Sequence, residues 1–143
     1  MAYKPLHLTL VTPEKKLLTD VEVDEVFVPG YRGELNILPG HAPLMTTLST
    51  GLLRYRLKGQ SDLKTVVVSW GYAEVNPKGV LILAETAERA EDIDQERALA
   101  AWKLATERID SGELDPETVA KYRRKLERAD IRRSIAKGSQ TTH

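Results

Sequence analysis

Two stretches of this chain carry polar side chains that local structure alone does not explain. The first is Gly33-Glu34-Leu35-Asn36-Ile37-Leu38-Pro39-Gly40-His41-Ala42-Pro43-Leu44. Pro39-Gly40 sets the dihedrals of a tight turn at the end of a strand. The turn does not account for the acid Glu34 and the imidazole His41 beside it. A lone histidine is ordinarily a surface or hydrogen-bonded group rather than a catalyst. His7 stands on the polar side of its own strand and His143 is terminal. No HExxH or comparable ligand spacing occurs, and the chain has no cysteine, so no metal site is expected. The second stretch runs from Leu83 through Glu85, Glu88, Asp92 and Asp94 to Arg97 and Ala98. Its plain reading is a linker and a capped helix start with solvated charges. Asp94 and Arg97 are spaced for a surface pair of about 0.5 kcal/mol. GxSxG, P-loop and GxGxxG signatures are absent. The serines have no activating context, and Glu22, Asp24 and Glu25 read as an exposed strand face. The chain is not expected to be an enzyme.

The charges divide unevenly. Among 143 residues, 21 are lysine or arginine and 21 are aspartate or glutamate. Residues 116–143 hold Lys121, Arg123, Arg124, Lys125, Arg128, Arg132, Arg133 and Lys137 against Glu117, Glu127 and Asp130, a balance of +5. The first 115 residues hold 13 basic and 18 acidic groups, a balance of −5. An acidic body with a basic tail points to electrostatic partners. One such partner is nucleic acid, which makes a small nucleic-acid-binding module the alternative function. That alternative lacks an aromatic stacking platform or base-reading motif beside the basic helix, so no nucleic acid is expected. The longest apolar run, residues 80–84, is far short of the ~20 residues of a membrane span. The N-terminus lacks the apolar stretch of a secretory signal.

The elements that position these residues fall into two kinds. Up to about residue 86 the pattern is β. Leu6, Leu8 and Leu10 alternate with polar residues, as do Leu53, Tyr55 and Leu57 with Arg54 and Arg56. The apolar phase slips across Asp24-Glu25, which predicts a bulge. Asn76-Pro77-Lys78-Gly79 predicts a type I hairpin turn. Short strands at close spacing favour a sandwich or barrel. Residues 80–84 are apolar on both faces, so a second cover over the outer face is expected. Beyond Ala87 the composition turns helical. Asp92 or Asp94 can cap a helix, and Asp92 with Gln95 resembles a capping box. Ala98, Trp102, Ala105 and Ile109 form one helical stripe; Val119, Tyr122, Leu126 and Ala129 form another. Asp110-Ser111-Gly112 separates them, Asp115-Pro116 starts the second helix, and Gly138 is its expected end. Residues 139–143 are expected to fray.

The blocks GELNILPGHAPL, GLLRYR, SWGYAEV and ILAETAERAEDIDQERA, in this order and spacing, resemble the epsilon subunit of the bacterial rotary ATP synthase. The match covers nearly the whole chain. Asn36 departs from the glycine usual in the family, and asparagine tolerates a left-handed backbone better than most residues. The resemblance implies an N-terminal ten-stranded β-sandwich over residues 1–87. It implies a C-terminal antiparallel two-helix hairpin over residues 88–143.

The resemblance also implies a non-catalytic rotor subunit. Its partners would be the gamma subunit, the c-ring, and the alpha and beta subunits of the catalytic hexamer. It would be a peripheral membrane protein on the cytoplasmic face of the bacterial plasma membrane. Glu34, Asn36 and His41 match family positions near the polar loops of the c-ring. The helices, folded or extended, would control inhibition of ATP hydrolysis. No cofactor is obligatory. ATP is the implied regulatory ligand, because Ile93-Asp94-Gln95-Glu96-Arg97-Ala98 matches the family motif I/L-D-x-x-R-A. Asp94 would accept from the adenine amino group or the ribose, with Glu88 nearby. Arg97, Arg124 and Arg128 would hold phosphates, for which the forked guanidinium is suited. The same motif also occurs in members that bind ATP weakly.

Overall fold

Alternation of apolar and polar residues builds the first half of the molecule. The computed structural model describes residues 5–141, with side chains through Ile135. The Lys137 side chain, Thr142 and His143 lie outside the described residues. Seven strands come first: β1 (Leu6–Val11), β2 (Lys16–Gly30), β3 (Gly33–Ile37), β4 (Leu44–Leu48), β5 (Gly51–Leu57), β6 (Leu63–Asn76) and β7 (Gly79–Arg89). In β1, Leu6, Leu8 and Leu10 are buried while the residues between them are half-exposed. The pairings β1–β7, β7–β6, β6–β5, β5–β2 and β2–β1 close on themselves. Closure leaves few open edges for another strand to join. β1 and β7 run parallel, His7 opposite Gly79 and Val11 opposite Leu83. Leu8, Leu10, Ile37, Leu48, Leu53 and Ile82 are fully buried at the centre.

The strand count differs from the expected ten, and long strands that turn corners are the reason. β2 pairs with β1 through Val23 and then with β5 and β3 from Val23 to Gly30. Its register to β5 slips between Val23 and Glu25, where the bulge was expected. β6 pairs with β5 up to Val68 and with β4 from Gly71. Between them Trp70 (φ 54°) and Gly71 (φ 144°) bend the strand. A Cβ at residue 71 would sit 1.8 Å from the Leu83 carbonyl oxygen, so glycine is required there. Each bent strand serves two parts of the sandwich. At the β6–β7 turn, Asn76 Oδ1 accepts from the amides of Lys78 and Gly79. On the outer face of β7, where a cover was expected, Leu83 is 45% exposed.

A 3-10 turn, Ala90–Asp92, leads into α1 (Gln95–Asp110) and α2 (Pro116–Thr141). The chain divides into two compact units, residues 1–88 and 89–143. Asp94, not Asp92, caps α1, accepting from the amides of Glu96 and Arg97. Asp92 is used up in the 3-10 turn, so the Asp92–Gln95 box does not form. Gly112 (φ 68°) follows the end of α1. Asp115 Oδ1 accepts from the Thr118 amide at 2.7 Å and starts α2. Hydrogen bonding from that amide, foremost, holds the Asp115 carboxyl below the usual carboxylate range. Gly138 does not end α2; the helix runs on through Ser139 to Thr141. Ala98, Ala105 and Ala129 are the buried alanines of the two stripes. The guanidinium of Arg133 lies 4.3 Å from the Trp102 ring and joins the helices through a cation–π contact.

Candidate functional site

The first cluster is a polar patch on the outer face of β3, β2 and β5. Register makes it: Phe27 on β2 stands opposite Asn36 on β3 and opposite Arg54 on β5, and Pro29 stands opposite Glu34. Glu34 and Asn36, two apart on β3, are exposed on one face. The Arg54 guanidinium lies 4.8 Å from the Phe27 ring and donates from Nη2 to Glu34 Oε2 at 2.8 Å. A second arginine runs parallel to it. Arg56 donates from Nη2 (2.8 Å) and Nε (3.1 Å) to Glu25 Oε1, and from Nη1 to the Ser61 carbonyl. His41 lies in the loop after β3. Its amide donates to the Leu38 carbonyl at 3.1 Å, and Nδ1 lies 2.7 Å from the Ala42 carbonyl oxygen. That contact requires the proton on Nδ1 and leaves Nε2 as the acceptor of the neutral ring. Glu34 and Asn36 therefore share a face, while His41 is held separately by its own loop.

The second cluster is apolar and joins the outer face of β7, expected from the sequence, to side chains of β4 and β6 that were not. Met45 (70% exposed), Tyr72 (57%) and Leu83 line a shallow pocket of about 210 Å³ with Leu81 and Glu74. A neighbouring pocket of about 280 Å³ is lined by Tyr31, Thr47, Leu48, Trp70, Gly71 and Tyr72. The sequence signal of the first pocket lies in β7, where Leu81 and Leu83 interrupt the polar alternation. Met45 and Tyr72 gave no such signal, because they join this face only through the β4–β6 pairing.

The third group is the motif at the start of α1 and the arginines of α2. Asp94, Arg97, Arg124 and Arg128 all belong to the helical unit, whereas Glu88 belongs to the sandwich unit. The link between Asp94 and Arg97 is a main-chain one, the Arg97 amide donating to Oδ1 at 3.2 Å, rather than the expected side-chain pair. Arg97 and Arg124 are exposed and Arg128 is half-buried, one turn beyond Arg124. Elsewhere on the sandwich, Glu22 meets His7 at 3.7 Å and Lys58 at 3.4 Å, and Asp24 accepts from the Gly59 amide. These acids are tied to neighbouring strands and loops. Among the described residues no three metal-ligating side chains cluster, and no helix is long and apolar enough to cross a membrane.

Comparison with known proteins gives this architecture a family. Residues 5–90 match the family described as ATP synthase, Delta/Epsilon chain, beta-sandwich domain. The ATP synthase epsilon chain of Bdellovibrio bacteriovorus is 47% identical over 119 residues, 83% of this chain and 85% of that protein. The epsilon chain of Geotalea uraniireducens is 43% identical over 131 residues, 92% of this chain and 93% of that protein. A chain in the Euglena gracilis mitochondrial ATP synthase structure, solved with OSCP, F1 and c-ring, superimposes with a TM-score of 0.77 at 26% identity. That match covers 92% of this chain and 81% of the other. A chain of the Tetrahymena thermophila mitochondrial ATP synthase shares the fold, with a TM-score of 0.59 at 17% identity over 97% of this chain and 99% of the other. The sandwich and the two helices that follow it then have one explanation: this chain belongs to the ATP synthase delta/epsilon family, as a non-catalytic subunit.

Proposed function

We propose that this chain is a rotor subunit of an F-type ATP synthase, joining the gamma subunit to the c-ring and restraining ATP hydrolysis through its helices. The observation that carries this reading is the division into a closed sandwich and a separate helical unit whose second helix is strongly basic. A closed, densely packed sandwich deforms little when torque passes through it. Glu34, Asn36 and His41 would face the polar loops of the ring. The exposed apolar face at Met45, Tyr72 and Leu83 supports docking on a protein neighbour. The basic α2 would seek acidic surface on the alpha and beta subunits when an antiparallel hairpin opens. In this role the chain works at the cytoplasmic face of the bacterial membrane, without spanning it. The test is reconstitution of an enzyme lacking this subunit with residues 1–143 or 1–88. The shorter chain should still bind the stalk and release hydrolysis from inhibition. Equal inhibition by both would overturn the inhibitory role.

ATP sensing is the finer part of this reading. The match of residues 93–98 to the family motif, with Arg124 and Arg128 one turn apart, supports it. A ligand at 100 times its dissociation constant would stabilise the folded hairpin by about 2.7 kcal/mol, and at its dissociation constant by only about 0.4 kcal/mol. Calorimetric titration of the full chain with ATP should give saturable heat that Arg124→Ala and Arg128→Ala weaken. No heat at millimolar ATP would exclude a sensor.

A further inference from the structure

We infer that Arg54 is a positioning residue for Glu34, a role that rests on the reading that Glu34 faces the c-ring. Three strands lie side by side here. Phe27 on the middle strand has Arg54 opposite it on one flank and Asn36 opposite it on the other. Arg54 crosses the whole width. Its guanidinium lies over the Phe27 ring and ends on Glu34 Oε2 at 2.8 Å. The ring sets the plane of the guanidinium, and the guanidinium sets the rotamer of the carboxylate. Glu34 is left with Oε1 to accept from a docked partner, in one fixed direction.

An exposed carboxylate held this way differs from a free one in two respects. Its side-chain entropy is already lost before docking, so less is lost on binding. Oε2 already accepts from Arg54, so Oε1 is the oxygen left without that bond for a partner. The partner chemistry that fits is an N–H donor or a cation on the ring surface. Arg56 on the same face forms the same kind of link to Glu25 and provides the internal comparison, because Glu25 is not among the residues assigned to the ring.

The experiment is a double-mutant cycle on the full chain, read as affinity for the assembled gamma–c-ring complex. The variants are Glu34→Gln, Arg54→Met, Arg54→Lys, the Glu34→Gln/Arg54→Met double and Arg56→Met, each first checked for unchanged melting. Glu34→Gln and Arg54→Met should each weaken binding about three- to fivefold, the range of an exposed charged pair. The double variant should be no weaker than the worse single one, because Arg54 acts only through Glu34. Arg54→Lys should recover only part of the loss, since an ammonium lacks the planar fork. Arg56→Met should leave binding unchanged. Additive losses, or a normal affinity for Arg54→Met beside a weak Glu34→Gln, would overturn the role of Arg54 alone. Normal affinity for Glu34→Gln would overturn the ring-facing reading, and this inference with it.

Discussion

Asp94 caps α1, and under the sensor reading it would also contact ATP; its atoms separate the two roles. Oδ1 is committed to the amides of Glu96 and Arg97, so under the sensor reading a ligand contact would fall to the other oxygen. Asp94→Ala removes the cap and should cost about 1 kcal/mol of helix stability. Asp94→Asn keeps a capping oxygen and should leave the melting curve of the full chain nearly unchanged. Under the sensor reading the same change turns the second acceptor into a donor and weakens ATP. A calorimetric titration of Asp94→Asn beside a melting curve distinguishes the two jobs. Arg133 over Trp102 is the other residue-scale contact with a measurable signature. Arg133→Ala should cost about 0.5–1 kcal/mol and shrink the near-ultraviolet circular dichroism of the Trp102 environment. Arg133→Lys, which keeps the charge, should fall between. The sequence showed Glu34 as an unexplained acid but not its link to Arg54. That link depends on the register of three strands, which no local pattern reveals.

The elements follow their local rules except where a long-range constraint intervenes. The alternation in β1, the bulge in β2, the Asp115-Pro116 start of α2 and both helical stripes were legible from spacing alone. The strand count was not, because β2 and β6 continue through bends that only their pairing partners define. Gly138 looked like a stop, yet a glycine inside a helix costs only about 1 kcal/mol and does not end one when the following residues stay helical. The corner in β6 is set by Gly71. Gly71→Ala brings a Cβ against the Leu83 carbonyl in a backbone region closed to alanine. It should lower stability by more than about 1 kcal/mol, read from the melting temperature. The start of α2 carries a pH dependence. The Asp115 carboxyl titrates below its unfolded value in the folded chain. Its stabilisation is therefore complete above that unfolded value and is lost as pH falls through the folded one. Helicity at 222 nm should drop on acidification, and the difference between wild type and Asp115→Asn should vanish at the lowest pH.

At the scale of the whole molecule, the two units draw on different sources of stability. Every residue of the main hydrophobic cluster lies between Leu6 and Ala84, with Ala87 packed against it. Branched aliphatic side chains and Tyr55 fill most of it, with Ala73 and Ala84 the only alanines among its buried residues. In the helical unit the described side chains that are buried are Ala98, Ala105 and Ala129. Alanine removes little apolar area from water, so the helices gain far less from packing than the strands do. Isolated helices with so little buried are marginal in water. The chain of residues 1–88 should therefore unfold cooperatively on its own, with a melting temperature close to that of the sandwich in the full chain. A peptide of residues 89–143 should show reduced helicity alone and regain it in the full chain. This asymmetry is what a switch requires, since a segment of low intrinsic stability can exchange one surface for another at modest cost. Far-ultraviolet circular dichroism of the two fragments and their equimolar mixture tests it. A fully helical, cooperatively melting 89–143 peptide would show that the helices are a self-sufficient unit and would overturn a switch based on low intrinsic stability.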